Sequence, residues 1–351
     1  SAASDVYKRQ EHGSQSVVTC DLNKRMHVIH EGNMNCDGTE LSITGDVEPL
    51  DITLPFAIRD LGGMELLAAG SRLDEAMIND VARTGRQKQF KTRCLLQHGS
   101  ILSDMERFIS KDPYAFIFGG ADGIRDHLSQ FGEIPIPEPL LSALDVFKKK
   151  DVYTYRHSLV VFALTSFMME TCYPNTLAER NILLVGPTHD VGKLTIPFEI
   201  LQKKTPLTRR ERQFLEFHSV AGFVLLSYYL GDYRHPAAHV AFNHHERCNG
   251  SGYPRGLTEV SPLVEMVAIC DIYDALISSR PYRKGEYDNR TALEELCDIA
   301  KAGALGRYNV QALIGRNRAG HPAPEEVRLS TERRGNPPES NCHWVTVDDK
   351  V

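Results

Sequence analysis

The sequence predicts a mostly α-helical protein in which a helical bundle follows a small, β-rich α+β module. Through most of residues 140–314, apolar side chains recur every three or four positions, the spacing that places them on one face of a helix. Short runs in residues 41–54 instead alternate apolar with polar side chains, which is typical of half-buried strands. Between these regions, residues 134–139 contain three prolines, each of which fixes φ and disfavours helix before it.

These patterns divide the chain into five parts. For the first part the sequence leaves strand and disorder both open, and the second is expected to hold one short helix near residues 73–81. The parts are a poorly patterned N-terminal segment (1–44), the β-rich module (45–130), a proline-rich linker (131–139), the helical domain (140–314) and a loosely structured tail (315–351).

The bulk composition narrows the class of protein. The 351 residues include 46 acidic and 40 basic side chains, a net charge of −6, so no basic excess points to a nucleic-acid polymer as partner. No run approaches the 18 or so apolar residues of a membrane span. The eight cysteines form no Cys-x-x-Cys pair, which favours reduced thiols and a cytoplasmic location.

Residues 189–254 contain most of the side chains that could bind metal ions. His189 and Asp190 are followed by Lys193, a lone His218 lies downstream, and His244-His245 form a pair. A lone His-Asp pair is more often a surface or capping feature, but here the other histidines and the lysine accompany it. Imidazoles, a carboxylate and a cation together are the ligand chemistry of a two-metal site that works on phosphate. Gly192 is expected to permit the turn after the His-Asp pair.

Seven motifs, in order and spacing, resemble those of the HD-GYP family, bacterial phosphodiesterases of the HD superfamily that hydrolyse cyclic di-GMP. The resemblance covers residues 140–314 and implies an HD-type helical bundle. The motifs are Tyr155-Arg156-His157-Ser158, His189 to Lys193, Leu207-Thr208 with Glu211, His218 with Gly222, His244 to Pro254, Asp271 to Leu276, and Arg280-Pro281-Tyr282-Arg283.

The resemblance implies a role for each matching residue. Asp190 would be the bridging carboxylate and Lys193 the phosphate-contacting cation, and these two are the catalytic candidates. Arg280 and Arg283 would contact the phosphates of the substrate, while Tyr253 would either stack on guanine or pack within its loop. The implied metal ligands are His157, His189, Asp190, His218, His244, His245 and Asp271.

Three positions depart from the family pattern. Tyr153 stands where some members place a glutamate that supports a third metal, which favours two divalent ions, iron or manganese. Pro187 lies two residues before His189, where it should break or kink the helix and shift the histidine. Ser279 replaces the acidic or amide residue that often precedes the arginine motif, which would alter contacts with the ligand.

The expected activity is metal-dependent hydrolysis of cyclic di-GMP, in which a hydroxide bridging the two metals attacks phosphorus. The product is linear pGpG, with further cleavage to GMP left open. Two alternatives remain: a phosphodiesterase for another cyclic dinucleotide, and a weakly active module that binds ligand or protein partners through the Gly-Tyr-Pro loop. Residues 63–70 are similar to an N-terminal adaptor found in some family members, which suggests a regulatory module. A homodimer is compatible with the sequence.

Overall fold

A computed structural model of the chain describes residues 50–131, 133–173, 183–279, 285–330 and 332–338, together with the backbone of three short strands outside these ranges. The strands are β1 (Ser16–Thr19), β2 (His27–His30), β3 (Ile52–Thr53), β4 (Ile58–Arg59), β5 (Glu65–Leu67), β6 (Arg72–Leu73), β7 (Thr92–Cys94), β8 (Pro135–Pro137), β9 (Leu207–Thr208) and β10 (Thr346–Val347). They form two-stranded sheets, antiparallel for β1-β2, β3-β6, β4-β5 and β7-β8, and parallel for β9-β10.

Helices make up most of the described structure, so the predicted mostly helical fold with a small β-rich N-terminal part is confirmed. The α-helices are α1 (Glu75–Lys88), α2 (Ile101–Ile109), α3 (Tyr114–Phe118), α4 (Gly120–Ser129), α5 (Glu138–Lys150), α6 (Val152–Cys172), α7 (Val185–Thr188), α8 (Phe198–Leu201), α9 (Arg209–Glu216), α10 (His218–Leu230), α11 (Pro236–Asn243), α12 (Pro262–Ile277), α13 (Asn289–Lys301) and α14 (Arg307–Arg316). A 3₁₀ helix, Val191–Thr195, joins α7 to α8.

The region 45–130 is more helical than expected, because α1 to α4 lie where one short helix was predicted. Helix α1 starts where Asp74 accepts a hydrogen bond from the amide of Met77 at 2.8 Å, an N-terminal cap. In α2, Ile101, Met105 and Ile109 recur every four residues and are buried, a helical spacing that the sequence analysis overlooked.

The N-terminal region packs directly on the helical bundle, and the two share one hydrophobic core. Phe56 stacks on Phe214 of α9 with ring centroids 3.6 Å apart. The amide of Leu61 donates to the hydroxyl of Tyr229 at 2.7 Å, and Arg86 donates to the carbonyl of Gly231 at 2.6 Å. Elements on both sides of the predicted linker are therefore fixed against each other.

Three helices form the centre of the bundle. Helices α6, α10 and α12 are buried around most of their circumference, and α6 and α12 pack against each other. Such helices are apolar on every side because no face meets water. The capping box predicted before α9 is present, since Thr208 Oγ1 accepts from the amide of Glu211 at 3.2 Å and Glu211 Oε2 accepts from the amide of Thr208 at 2.8 Å.

The tail is held more firmly than expected as far as residue 338, so the prediction of a loose tail is wrong for its described part. Val327 is buried in the core. Arg333 forms ion pairs with Glu295 at 2.5 Å and Asp298 at 2.6 Å on α13. The prolines of this segment favour a loose tail, but the acidic face of α13 binds its arginine.

No helix in the described part of the chain is both long and apolar enough to span a membrane.

Candidate metal centre

Five structural elements bring seven of the predicted site residues together at the middle of the bundle. His157 comes from α6, His218 is the first residue of α10, and Asp271 lies on α12. The other four follow the ends of α7 and α11. The side chains form two groups, Asp190 with His218, His244 and His245, and His157 with His189 and Asp271, and within each group the potential ligand atoms lie within 4.8 Å of one another.

Asp190 belongs to the first group but also faces the second, and it directs one oxygen to the histidines of each. Its Oδ1 is 3.4 Å from His218 Nε2 and 3.8 Å from His244 Nε2. Its Oδ2 is 3.3 Å from His189 Nε2 and 3.8 Å from His157 Nε2. The side chain is 2% exposed. This is the placement that a carboxylate bridging two ions would need.

The same type of hydrogen bond to the backbone orients three of the histidines. The Nδ1 atoms of His189, His218 and His244 each bond the carbonyl oxygen three residues earlier, of Gly186 at 2.6 Å, of Leu215, and of Ala241 at 3.0 Å. A carbonyl only accepts, so each Nδ1 carries the proton and each Nε2 presents its lone pair to the centre. Helix ends supply these carbonyls because their last C=O groups have no partner within the helix.

Burial keeps two imidazoles of the first group neutral. It lowers the pKa of His218 to about 4 and that of His244 to about 3. His157 in the second group behaves differently. Burial opposes its charge, but its hydrogen bonds to Asp271 and Asp274 outweigh that effect and raise its pKa to about 9.

The residues present fit divalent metal ions. His189 Nε2 and Asp190 Oδ1 are buried and, among the described residues, have no hydrogen-bond partner, which is costly for polar atoms. His218 Nε2 and His244 Nε2 lie 3.3 Å apart with both protons on Nδ1, so their lone pairs face each other. A cation between them would remove both penalties, and a histidine and carboxylate set suits first-row transition metals.

Comparisons with known proteins show a matching family and several similar proteins. The HD domain family matches residues 144–302. A cyclic di-GMP phosphodiesterase of Pseudomonas aeruginosa is 40% identical over 194 residues, 51% of this chain and 45% of that protein. A cyclic di-GMP phosphodiesterase of Thermotoga maritima is 38% identical over 138 residues, 38% of this chain and 37% of that protein.

The part of the chain that resembles the HD-GYP family therefore includes an HD domain, residues 144–302. The resemblance seen in the sequence motifs is thereby confirmed. A 3'3'-cGAMP-specific phosphodiesterase of Vibrio cholerae is also similar, 35% identical over 141 residues, 40% of this chain and 32% of that protein. This chain aligns with less than half the length of each of these relatives.

The structure describes two of the four predicted substrate residues, Lys193 and Tyr253. Lys193 Nζ lies 2.5 Å from Asp190 Oδ2, at the edge of the centre. Tyr253 stacks one face of its ring on His245, with centroids 4.6 Å apart, which is a packing contact. Arg280 and Arg283 lie outside the described residues. The roles of all four toward substrate remain predictions.

The candidate ligands lie together even though Pro187 and Tyr153 depart from the family pattern. Pro187 is the third residue of α7, within the first turn, where backbone N–H groups have no acceptor to lose. His189 keeps its bond to Gly186 and its place 3.3 Å from Asp190 Oδ2, so the expected shift is not observed. Tyr153 stacks its ring on His157, with centroids 5.6 Å apart.

Gly192 acts by close packing of the backbone. The sequence predicts a turn at Gly192, yet a Cβ at this position would lie 2.6 Å from the amide nitrogen of Gly222 on α10. The absence of a side chain at Gly192 allows the segment carrying Asp190 to lie directly against the helix carrying His218.

Two further buried carboxylates support the centre and were not singled out from the sequence. Glu246, next to His245, accepts the amides of Arg255 at 2.7 Å and Leu257 at 2.9 Å, and so fixes the Gly-Tyr-Pro loop. Asp274 accepts from His157 Nδ1 at 2.6 Å. Its position three residues after Asp271, on the same side of a helix, was the available signal.

Proposed function

We propose that this chain is a metal-dependent phosphodiesterase that hydrolyses cyclic di-GMP to linear pGpG. The observation that carries the proposal is Asp190, buried between two groups of histidines with one oxygen facing each. Relatives named as cyclic di-GMP phosphodiesterases support the substrate. Cleavage of pGpG onward to GMP is a further possibility that product analysis distinguishes.

Two divalent ions held by these groups would neutralise the phosphate oxygens and make water a stronger nucleophile near neutral pH. Hydrolysis joins the water oxygen to phosphorus and breaks the bond from phosphorus to the ribose 3′ oxygen, which receives a proton. Asp190 would hold the two ligand groups in register. The Lys193 ammonium, beside Asp190, would stabilise negative charge on a phosphate oxygen.

The proposal also covers the identity of the metals, the cellular location, the substrate contacts and the partners. Iron or manganese suits a site of imidazoles and carboxylates. We place the protein in the cytoplasm because its described cysteines are free thiols. We propose that Arg280 and Arg283 contact the substrate phosphates, with Tyr253 shaping the pocket beside His245. Protein partners at the Gly-Tyr-Pro loop and a homodimer remain predictions.

A second substrate has its own support. The chain is also similar to proteins named as specific for 3'3'-cGAMP, which differs from cyclic di-GMP in one base. The phosphate chemistry at Asp190 and Lys193 would be the same for both substrates. Contacts with the base would decide between them.

The test is turnover of cyclic di-GMP and 3'3'-cGAMP by the chain loaded with Mn²⁺ or with Fe²⁺ under anaerobic conditions, with pGpG and GMP separated. We expect hydrolysis of cyclic di-GMP to exceed that of 3'3'-cGAMP. In Lys193→Met, turnover should fall by about 10²-fold or more, as expected when one charge-stabilising group is lost. Ligand binding without turnover in the metal-loaded chain would instead identify a binding module.

A further inference from the structure

Asp274 is a buried carboxylate that contacts one candidate metal ligand, His157. It lies on α12, is fully buried, and does not belong to either ligand group. Its Oδ2 faces His157 Nδ1 at 2.6 Å. Its Oδ1 accepts from Arg156 Nη1 at 2.9 Å, from Ser278 Oγ at 3.1 Å and from the hydroxyl of Tyr114.

The two oxygens of Asp274 therefore have mostly different partners, although Arg156 Nη1 also donates to Oδ2 at 3.3 Å. Three donors hold Oδ1, which fixes the rotation of the carboxylate and leaves Oδ2 pointing at His157. A proton held on His157 Nδ1 by this oxygen leaves Nε2, which lies 2.9 Å from Asp271, as the ring atom that would bind an ion. Partners of this kind, which orient a ligand without touching the metal, are known to set metal affinity.

One of the three donors comes from outside the HD domain. Tyr114 is the first residue of α3, thirty positions before the matched region begins at residue 144. Its side chain is buried, with its ring 6.4 Å from that of Tyr273 and beneath the guanidinium of Arg156 at 5.6 Å. The N-terminal region thus places a hydroxyl within two hydrogen bonds of a predicted metal ligand.

We propose that Tyr114 is a positioning residue that orients His157 through Asp274 and so sets the metal affinity of the second ligand group. The inference rests on the proposed metal-dependent function. It gives the N-terminal region a direct route to the centre, because any movement of α3 relative to α12 breaks the bond to Asp274. Arg156 and Ser278 still donate to Asp274 Oδ1 when the Tyr114 hydroxyl is removed, so the loss is graded.

The experiment measures Mn²⁺ binding by equilibrium dialysis on the full chain, without substrate, for wild type, Tyr114→Phe and Tyr229→Phe. Tyr114→Phe removes only the hydroxyl and keeps the ring. Tyr229→Phe is the matched control, since its buried hydroxyl also joins the N-terminal region to the bundle, through Leu61, but touches neither ligand group. Thermal melting of all three proteins reports general stability.

We expect Tyr114→Phe to weaken one of two Mn²⁺ sites by about tenfold, the lower end of the range for partners that orient ligands. Tyr229→Phe should bind Mn²⁺ as wild type does, even where the two variants lose similar thermal stability. Unchanged Mn²⁺ affinity in Tyr114→Phe, or equal loss in both variants, overturns the proposal.

A second variant keeps the test decisive if Tyr114→Phe does not fold. Ser278→Ala removes another donor to Asp274 Oδ1 and should weaken the same Mn²⁺ site, whereas wild-type affinity in this variant contradicts the proposal. The readout is independent of turnover. A chain that binds Mn²⁺ as expected but hydrolyses no cyclic dinucleotide would overturn the proposed function alone.

Discussion

Gly192 lies against the backbone of His218 so closely that a Cβ atom at position 192 would fall 1.9 Å from the His218 carbonyl oxygen. Backbone atoms of a buried helix cannot move aside as the end of a flexible side chain can. The absence of a side chain at Gly192 is therefore what brings the Asp190 turn and the first residue of α10 to their observed separation.

Gly192→Ala should accordingly lower the free energy of unfolding by about 1–3 kcal/mol or more, the cost of overpacking a tight interior. It should also weaken Mn²⁺ binding, because Asp190 and His218 must separate. Urea unfolding and Mn²⁺ titration check both effects. Gly285→Ala is the control, since a Cβ there meets only ordinary contacts, the nearest at 3.5 Å. Equal stability of the two variants would contradict the close-packing explanation.

Glu246 should control the order of the Gly-Tyr-Pro loop. Glu246→Gln replaces one acceptor oxygen with an NH₂ group, which cannot accept the amide of Arg255 or Leu257. One buried amide then loses its partner, at about 1–3 kcal/mol. Hydrogen exchange of residues 250–257 should accelerate, while exposed Glu259→Gln leaves it unchanged. Wild-type exchange rates in Glu246→Gln would show that the loop is held by other contacts.

His127 should contribute to loss of stability in acid. Burial lowers its pKa to about 4, below the value of about 6.5 expected in the unfolded chain. The unfolded state therefore binds the proton more tightly, so the contribution is complete above pH 6.5 and is lost as the pH falls toward 4. The shift corresponds to a loss on the order of 3 kcal/mol.

The check on His127 is urea unfolding at pH 7 and pH 4.5 for wild type and His127→Gln, a variant that does not titrate at this position. Glutamine can still donate to the carbonyl of Ala163, the bond that His127 Nε2 makes at 3.2 Å. We expect the variant to lose less stability than wild type between the two pH values. An equal loss in both proteins would place the acid sensitivity in other groups.

The sequence was sufficient to assemble the list of candidate ligands. His189, Asp190 and the His244-His245 pair belong to short motifs that can be recognised in the sequence. The structure places all seven candidates in two groups. The capping box at Thr208 was equally local and was predicted correctly. Such features depend on neighbours in the chain, which the sequence displays.

Contacts between distant segments could not be predicted in the same way. The division of Asp190 between two ligand groups depends on where α6, α10 and α11 meet. Tyr114 reaches Asp274 across 160 positions, and no pattern in either segment identifies the partner. Gly192 looked like a turn residue because its close neighbour, the backbone of His218, carries no sequence signature. These relationships arise from packing alone.

The central claim is that Asp190 joins two ion sites, and the most direct measurement is the number of Mn²⁺ ions bound per chain by wild type and Asp190→Asn. Equilibrium dialysis followed by elemental analysis gives this number, with hydrolysis of cyclic di-GMP assayed on the same samples. The control is Asp122→Asn, because the side chain of Asp122 is 89% exposed. We predict two tightly bound ions in wild type and in the control, with both ions weakened and hydrolysis lost in Asp190→Asn. Two tightly bound ions and undiminished hydrolysis in Asp190→Asn would contradict the claim.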